Sequence, residues 1–138
     1  MDTINDEIRI KATPAKAFEA LTTQAGYRGW WNNVAEVPTN VGGEPNLLFD
    51  KQGQKVHMRY RIDEIAPTSI KWTCIAHDMP SWVGTTLHWQ IRGAGNEVVV
   101  ALEHSGWKDA APQMVKDGWK HFLGSMKSYL ETGTGQPW

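Results

Sequence analysis

The stretch PQMVKDGWKHFLGSMKSYLE, Pro112 to Glu131, decides how this chain folds. Val115, Trp119, Phe122, Leu123, Met126 and Leu130 recur at steps of three and four, the spacing of one helical face. Met114 and Tyr129 widen the stripe, while Lys116, Lys120, Lys127 and Ser128 lie off it. Gly133 follows as a stop signal. A helix of this length spans roughly 30 Å. So long an apolar stripe needs a broad surface to bury it. Nearly all the remaining chain reads as strand, so the expected cover is a curved antiparallel sheet gripping the helix.

Working back from that helix, Gly106 to Ala111 is a connection. Glu97 to Ser105 puts Val98, Val100, Leu102 and His104 on one face, and Gly93 to Asn96 is a hairpin turn. Thr85 to Arg92 sets Leu87, Trp89 and Ile91 opposite Thr86, His88 and Gln90. Asp78 to Ser81 is a loop. Ser69 to Ala76 carries Ile70, Trp72 and Cys74 on one face. Lys55 to Ile65 carries Val56, Met58, Tyr60 and Ile62 on one face, with His57, Arg59, Arg61 and Asp63 on the other. Lys51 to Gln54 turns about Gly53, Leu47 to Asp50 is a strand, and Asn40 to Pro45 is a loop. Val34 to Val37 is expected as a short strand after the polar turn Asn32-Asn33. Thr23 to Gly29 reads as a short helical piece broken by Gly26 and Gly29. Before it, Thr13-Pro14 caps a helix ending near Thr22. Ile4 to Lys11 is the first strand, and Thr132 to Trp138 is expected as a frayed tail.

Strands joined by tight turns pair antiparallel, so the expected class is α+β. The 138 residues suit one domain with a real core. Lys and Arg number 14 against 15 Asp and Glu. That balance gives no electrostatic footprint for nucleic acid and no polybasic membrane patch. The single cysteine, Cys74, rules out an internal disulfide and fits a reducing cytosol, so the expected location is cytoplasmic. No apolar run is long enough for membrane insertion. Eight Trp are more than a small core requires.

Three stretches in this order resemble a known family: LTTQAGYRGWW (Leu21 to Trp31), LEHSGW (Leu102 to Trp107) and GWKHFLGSMKSYLETG (Gly118 to Gly133). The chain is similar over essentially its whole length to single-domain bacterial relatives of the activator of heat-shock protein 90 ATPase, in the START-like or SRPBCC superfamily. The resemblance implies a helix-grip fold, with six or seven strands wrapped round the C-terminal helix and a cavity between them. It also implies binding of hydrophobic small molecules, with cyclisation or dehydration in some branches. The eukaryotic co-chaperones carry a separate N-terminal domain that grips the chaperone. This sequence opens directly at its first strand, so chaperone contact is not the favoured expectation.

The inward faces carry Met58, Tyr60, Trp72, Cys74, Trp89, His104, Trp119, Phe122 and Met126, joined by Trp31 as a candidate ligand-binding set. Aromatic and thioether groups with a few polar ends suit a hydrophobic or amphipathic ligand. The same composition suits a packed core. Trp30, Trp31, Trp82 and Trp107 fall at loop ends, where they either ring an entrance or staple loops to the sheet. His104 either contacts a ligand or is a satisfied core histidine. An enzymatic alternative, of cyclase or hydrolase type, uses His104 with Tyr60 as an acid–base pair. A chaperone-regulating interaction module is the other alternative. No catalytic residue, metal site or cofactor is expected. The five His show no ligand-pair spacing, His57 and His88 face outward, and His121 is expected on the polar side of the last helix. Gly42-Gly43 precedes no helix and forms no phosphate loop.

Overall fold

A computed structural model of the chain describes residues 2–51 and 53–138. Among these the elements run β1 (Asp2–Ile10), α1 (Pro14–Thr22), α2 (Gln24–Trp30), β2 (Asn46–Lys51), β3 (Gln54–Ala66) and β4 (Ser69–His77). A short 3-10 turn, Pro80–Trp82, then leads to β5 (Thr86–Ala94), β6 (Glu97–Trp107) and α3 (Gln113–Thr132). The described strands pair antiparallel in the order β1-β6-β5-β4-β3-β2. Register shifts between β3 and β4 at Arg59/Tyr60 and at Ile62/Glu64 add local twist, which helps the sheet curl. The result is a six-stranded half-barrel around α3, a helix-grip α+β fold.

Local chemistry sets the helix limits. Thr13 accepts from the Lys16 N–H at 3.2 Å, and Pro14 opens α1. Thr23 caps α2 in the same way through the Gly26 N–H. Gly133, at φ 87°, ends α3 in the left-handed conformation that glycine adopts without strain. The apolar stripe of α3 buries Val115, Trp119, Phe122, Leu123 and Met126. Beneath it, alternate residues of β3 to β6 supply Tyr60, Trp72, Trp89 and Val100, all buried. Each such apolar side chain contributes on the order of 2–3 kcal/mol by burial.

Four expectations need correction. Val34 to Val37 forms no strand: Glu36 makes an isolated bridge to Asn46, and Val34 is exposed. The sheet has six described strands, within the expected six or seven. Gly26 and Gly29 do not break α2. They sit where α1 and Tyr129 approach closely, a Cβ at Gly26 meeting the α1 backbone and one at Gly29 the Tyr129 ring. Met114 is not on the buried stripe but is 65% exposed. The closing residues are not frayed: the Trp138 N–H donates to Trp31 O, and Trp138 O accepts from the Asn33 N–H, both at 3.0 Å. The turn expected over 51–54 includes Gln52, which lies outside the described residues.

Candidate functional site

α3 packs against β1, α1 and α2, so it leans on one edge of the sheet. Toward the β2 edge, helix and sheet diverge, and a cleft of about 660 Å³ opens between them. Phe49, Gln54, Val56 and Met58 of β2 and β3 form one wall. His77, Met79 and Trp82, from the end of β4 and the 3-10 turn, form another. The α3 wall comprises Met114, Val115, Asp117, Gly118, Trp119, His121 and Phe122, with Trp31 and Trp138 also lining the cleft. The volume lies within the range of small-molecule sites, and the lining is mainly aromatic and thioether. A smaller hollow of about 140 Å³ lies beside the 3-10 turn, against Trp107 and Lys108.

The ten residues expected to line a pocket divide into two groups. Trp31, Met58, Trp119 and Phe122 border the cleft. Tyr60, Trp72, Cys74, Trp89, His104 and Met126 are buried away from its lining. The physical reason is the Trp excess itself. Tyr27 packs on Trp72 at 4.8 Å, Tyr60 on Trp72 at 5.5 Å, Trp30 on Trp89 at 5.6 Å and Trp89 on Trp119 at 5.6 Å. These rings fill the space between sheet and helix, leaving the void at the open edge. Of the four loop-end Trp, Trp31 and Trp82 reach the cleft and Trp107 the smaller hollow. Trp30 instead donates its indole N–H to Ala20 O at 2.9 Å, inside the core.

His104 is fully buried and both its ring nitrogens are engaged. Indole is donor only. The Trp119 N–H therefore donates to His104 Nδ1 at 3.0 Å, which leaves the proton on Nε2. Nε2–H donates to Thr85 Oγ1 at 3.1 Å, and the Thr85 hydroxyl passes on to Trp82 O at 2.6 Å. This chain ties α3 to β6, to Thr85 just before β5 and to the 3-10 turn. Burial holds the His104 pKa down at about 3, with His77 nearby acting in the same direction. Tyr60 donates to Met58 Sδ at 3.3 Å, and burial pushes its pKa well up. Cys74 donates to Ala76 O, and burial raises its thiol to about 11, the mark of an unreactive sulfur.

Three features of the cleft were not expected from the sequence. His77 stacks on Trp82 with ring centroids 4.4 Å apart, and its Nδ1 accepts from the Met79 N–H at 2.8 Å. Burial lowers the His77 pKa to about 4. His121, expected on the polar side of α3, lies instead at the cleft against Phe122 and Trp138. Gly118 sits within the α3 wall, where an added Cβ would meet nothing within 4 Å. Periodicity passes over such a position because glycine carries no side chain to count. Among the described residues, no three His, Cys, Asp or Glu side chains gather as a metal-ligand set, and no helix is long and apolar enough to cross a membrane.

Known proteins share this architecture. The Aha1 dimer from Colwellia psychrerythraea has 32% identity to the chain and a TM-score of 0.79, over 98% of this chain and 100% of that one. A protein from Chromobacterium violaceum has 19% identity and a TM-score of 0.79, over 95% and 99%. DynU16, a putative protein in the dynemicin biosynthetic locus, has 18% identity and a TM-score of 0.77, over 98% of this chain and 49% of its own. These last two likenesses concern the fold alone. No functionally curated protein matches the chain. Residues 11–131 match the model of the activator of Hsp90 ATPase homolog 1-like proteins, and the chain belongs to that family.

Proposed function

We propose that the protein binds a small hydrophobic or amphipathic molecule in the cleft between α3 and the β2–β3 edge, with ring-bearing ligands preferred. The observation that carries this reading is the bare helix wall at Gly118, facing aromatic and thioether groups across a cleft of about 660 Å³. Glycine inside a helix costs about 0.5–1 kcal/mol relative to alanine. Nothing presses on Gly118, so close packing does not account for it. Keeping the cleft wide does. Trp31, Phe49, Trp119 and Phe122 offer ring faces and edges to an aromatic ligand, and Met58, Met79 and Met114 adapt to its outline. Gln54, Asp117 and His121 supply polar ends for an amphipathic one. A cytoplasmic setting suits a chain whose one cysteine is a buried free thiol.

The test is a thermal-shift panel of lipids, flavonoids and aromatic acids, run on the protein and on Gly118→Leu. A ligand present at about a hundred times its Kd stabilises the native state by about 2.7 kcal/mol. The expected result is a melting-temperature rise with ring-bearing compounds that Gly118→Leu abolishes without lowering the ligand-free melting temperature. No response across the panel, or a full response in Gly118→Leu, contradicts the reading.

A further inference from the structure

The residues after α3 cross back over the helix and reach the cleft. Thr134 O accepts from the Ser128 hydroxyl at 2.7 Å, and Gln136 O accepts from His121 Nε2 at 3.2 Å. The Gln136 N–H donates to Ser125 Oγ at 2.7 Å. The backbone of Trp138 pairs with Trp31 and Asn33, and its ring packs edge-on against Phe122 at 5.6 Å. That ring lines the cleft while remaining 41% exposed.

Two of the side chains holding this segment share a property. Buried Ser125 and Asn32 each keep another protein partner when the segment leaves. The Ser125 hydroxyl still donates to Trp30 O at 2.7 Å. Asn32, whose Nδ2 donates to Trp138 O at 2.5 Å, still pairs with the Leu48 backbone in both directions, at 2.6 and 3.3 Å. The bonds to the carbonyls of Thr134 and Gln136 come from solvent-accessible side chains. Undocking therefore leaves neither Ser125 nor Asn32 without a protein partner, while the backbone bonds at the Trp31 carbonyl and the Asn33 N–H are given up.

We propose that residues 134–138 are a removable strap: docked, it holds Trp138 across the cleft mouth and retains the ligand, and undocked, it widens the mouth for entry and exit. This rests on the cleft being the binding site. Gly135 provides the means to test it. A Cβ there would collide with Gly29 O and lie 3.0 Å from Ser125 O, both backbone atoms that cannot step aside. Gly135→Ala thus dislodges the strap without altering a cleft-lining side chain.

The experiment places a thiol reporter at Met58→Cys, a cleft-lining position only 4% exposed, and follows its reaction with Ellman's reagent. The unsubstituted protein, with Cys74 alone, gives the background. Adding Gly135→Ala is expected to speed labelling by about tenfold or more, and adding Trp138→Ala, which keeps the backbone anchors, to give a smaller rise. Hydrogen exchange on the unsubstituted protein supplies an independent reading should Gly135→Ala fold poorly. The Trp138 and Asn33 amides should exchange at least about a hundredfold faster than the Val100 amide in the core. Labelling rates within about twofold of one another in all three proteins, or strap amides that exchange only with global unfolding, overturn the proposal. Neither readout needs a ligand. Failure of the binding panel would therefore leave these results standing, and the two failures are distinguishable.

Discussion

Replacing His104 with leucine separates a core role from a ligand-contacting one. The imidazole accepts the Trp119 N–H through Nδ1 and donates to Thr85 through Nε2, deep in the protein. Leucine fills much of the same volume but accepts nothing. Trp119 is 3% exposed, so its N–H would have no water to turn to. A buried donor left unpaired costs about 1–3 kcal/mol. Thr85 still donates to Trp82 O and loses only an incoming bond. His104→Leu should therefore lower stability by about 1–3 kcal/mol while leaving ligand affinity within about threefold, since the ring does not line the cleft. The assay is urea unfolding at neutral pH, in a cycle with Trp119→Phe, which removes the donor. The double variant should be less destabilised than the two single effects added together, with a coupling of about 1 kcal/mol or more. Full additivity, or a large loss of affinity in His104→Leu with unchanged stability, would refute the reasoning.

Other outcomes follow from the same geometry. Burial holds His104 at about 3 and His77 at about 4, so the native state favours both in neutral form. Between those values and the unfolded pKa of about 6.5, the unfolded chain binds more protons. Stability is thus fully present above about 6.5 and falls as pH drops, His104 alone removing about 2 kcal/mol between pH 7 and pH 5. Urea midpoints that do not decline over that range would contradict it, and His104→Leu should flatten the slope. Gly124→Ala, in the exposed interior of α3 where a Cβ meets nothing within 4 Å, should stabilise by about 0.5–1 kcal/mol in the same assay. Cys74, 1% exposed with its thiol raised to about 11, should resist Ellman's reagent in native protein and react on unfolding.

The fold was legible in the sequence wherever one face is apolar and the other polar. Val115 to Met126 and Met58 to Ile62 announce helix and strand because burial follows periodicity directly. Val34 to Val37 misled because β-branched residues favour strands, whereas Asn32, buried and paired with the Leu48 backbone, holds the preceding turn in place. The closing tail misled because its anchors are backbone atoms and the side chains of Ser125, Ser128, His121 and Asn32, brought to it by tertiary packing that no composition rule reveals. At the site, alternation finds inward residues but cannot separate a wall from a core. Met58 and Tyr60 share one face, yet Met58 borders the cleft and Tyr60 lies among the rings behind it. That distinction depends on where α3 leans, a property of tertiary packing.

The methionines offer the most direct test of the cleft as a ligand site. Met58, Met79 and Met114 line it, whereas Met126 is fully buried outside its lining. With 13C-methyl methionine labelling, titration of the strongest hit from the thermal-shift panel should shift the signals of Met58, Met79 and Met114 together, with one saturation curve. Met126 should hold its position. Saturable shifts at Met126 with the other three unmoved, or no saturable shift at any cleft methionine, would contradict the account.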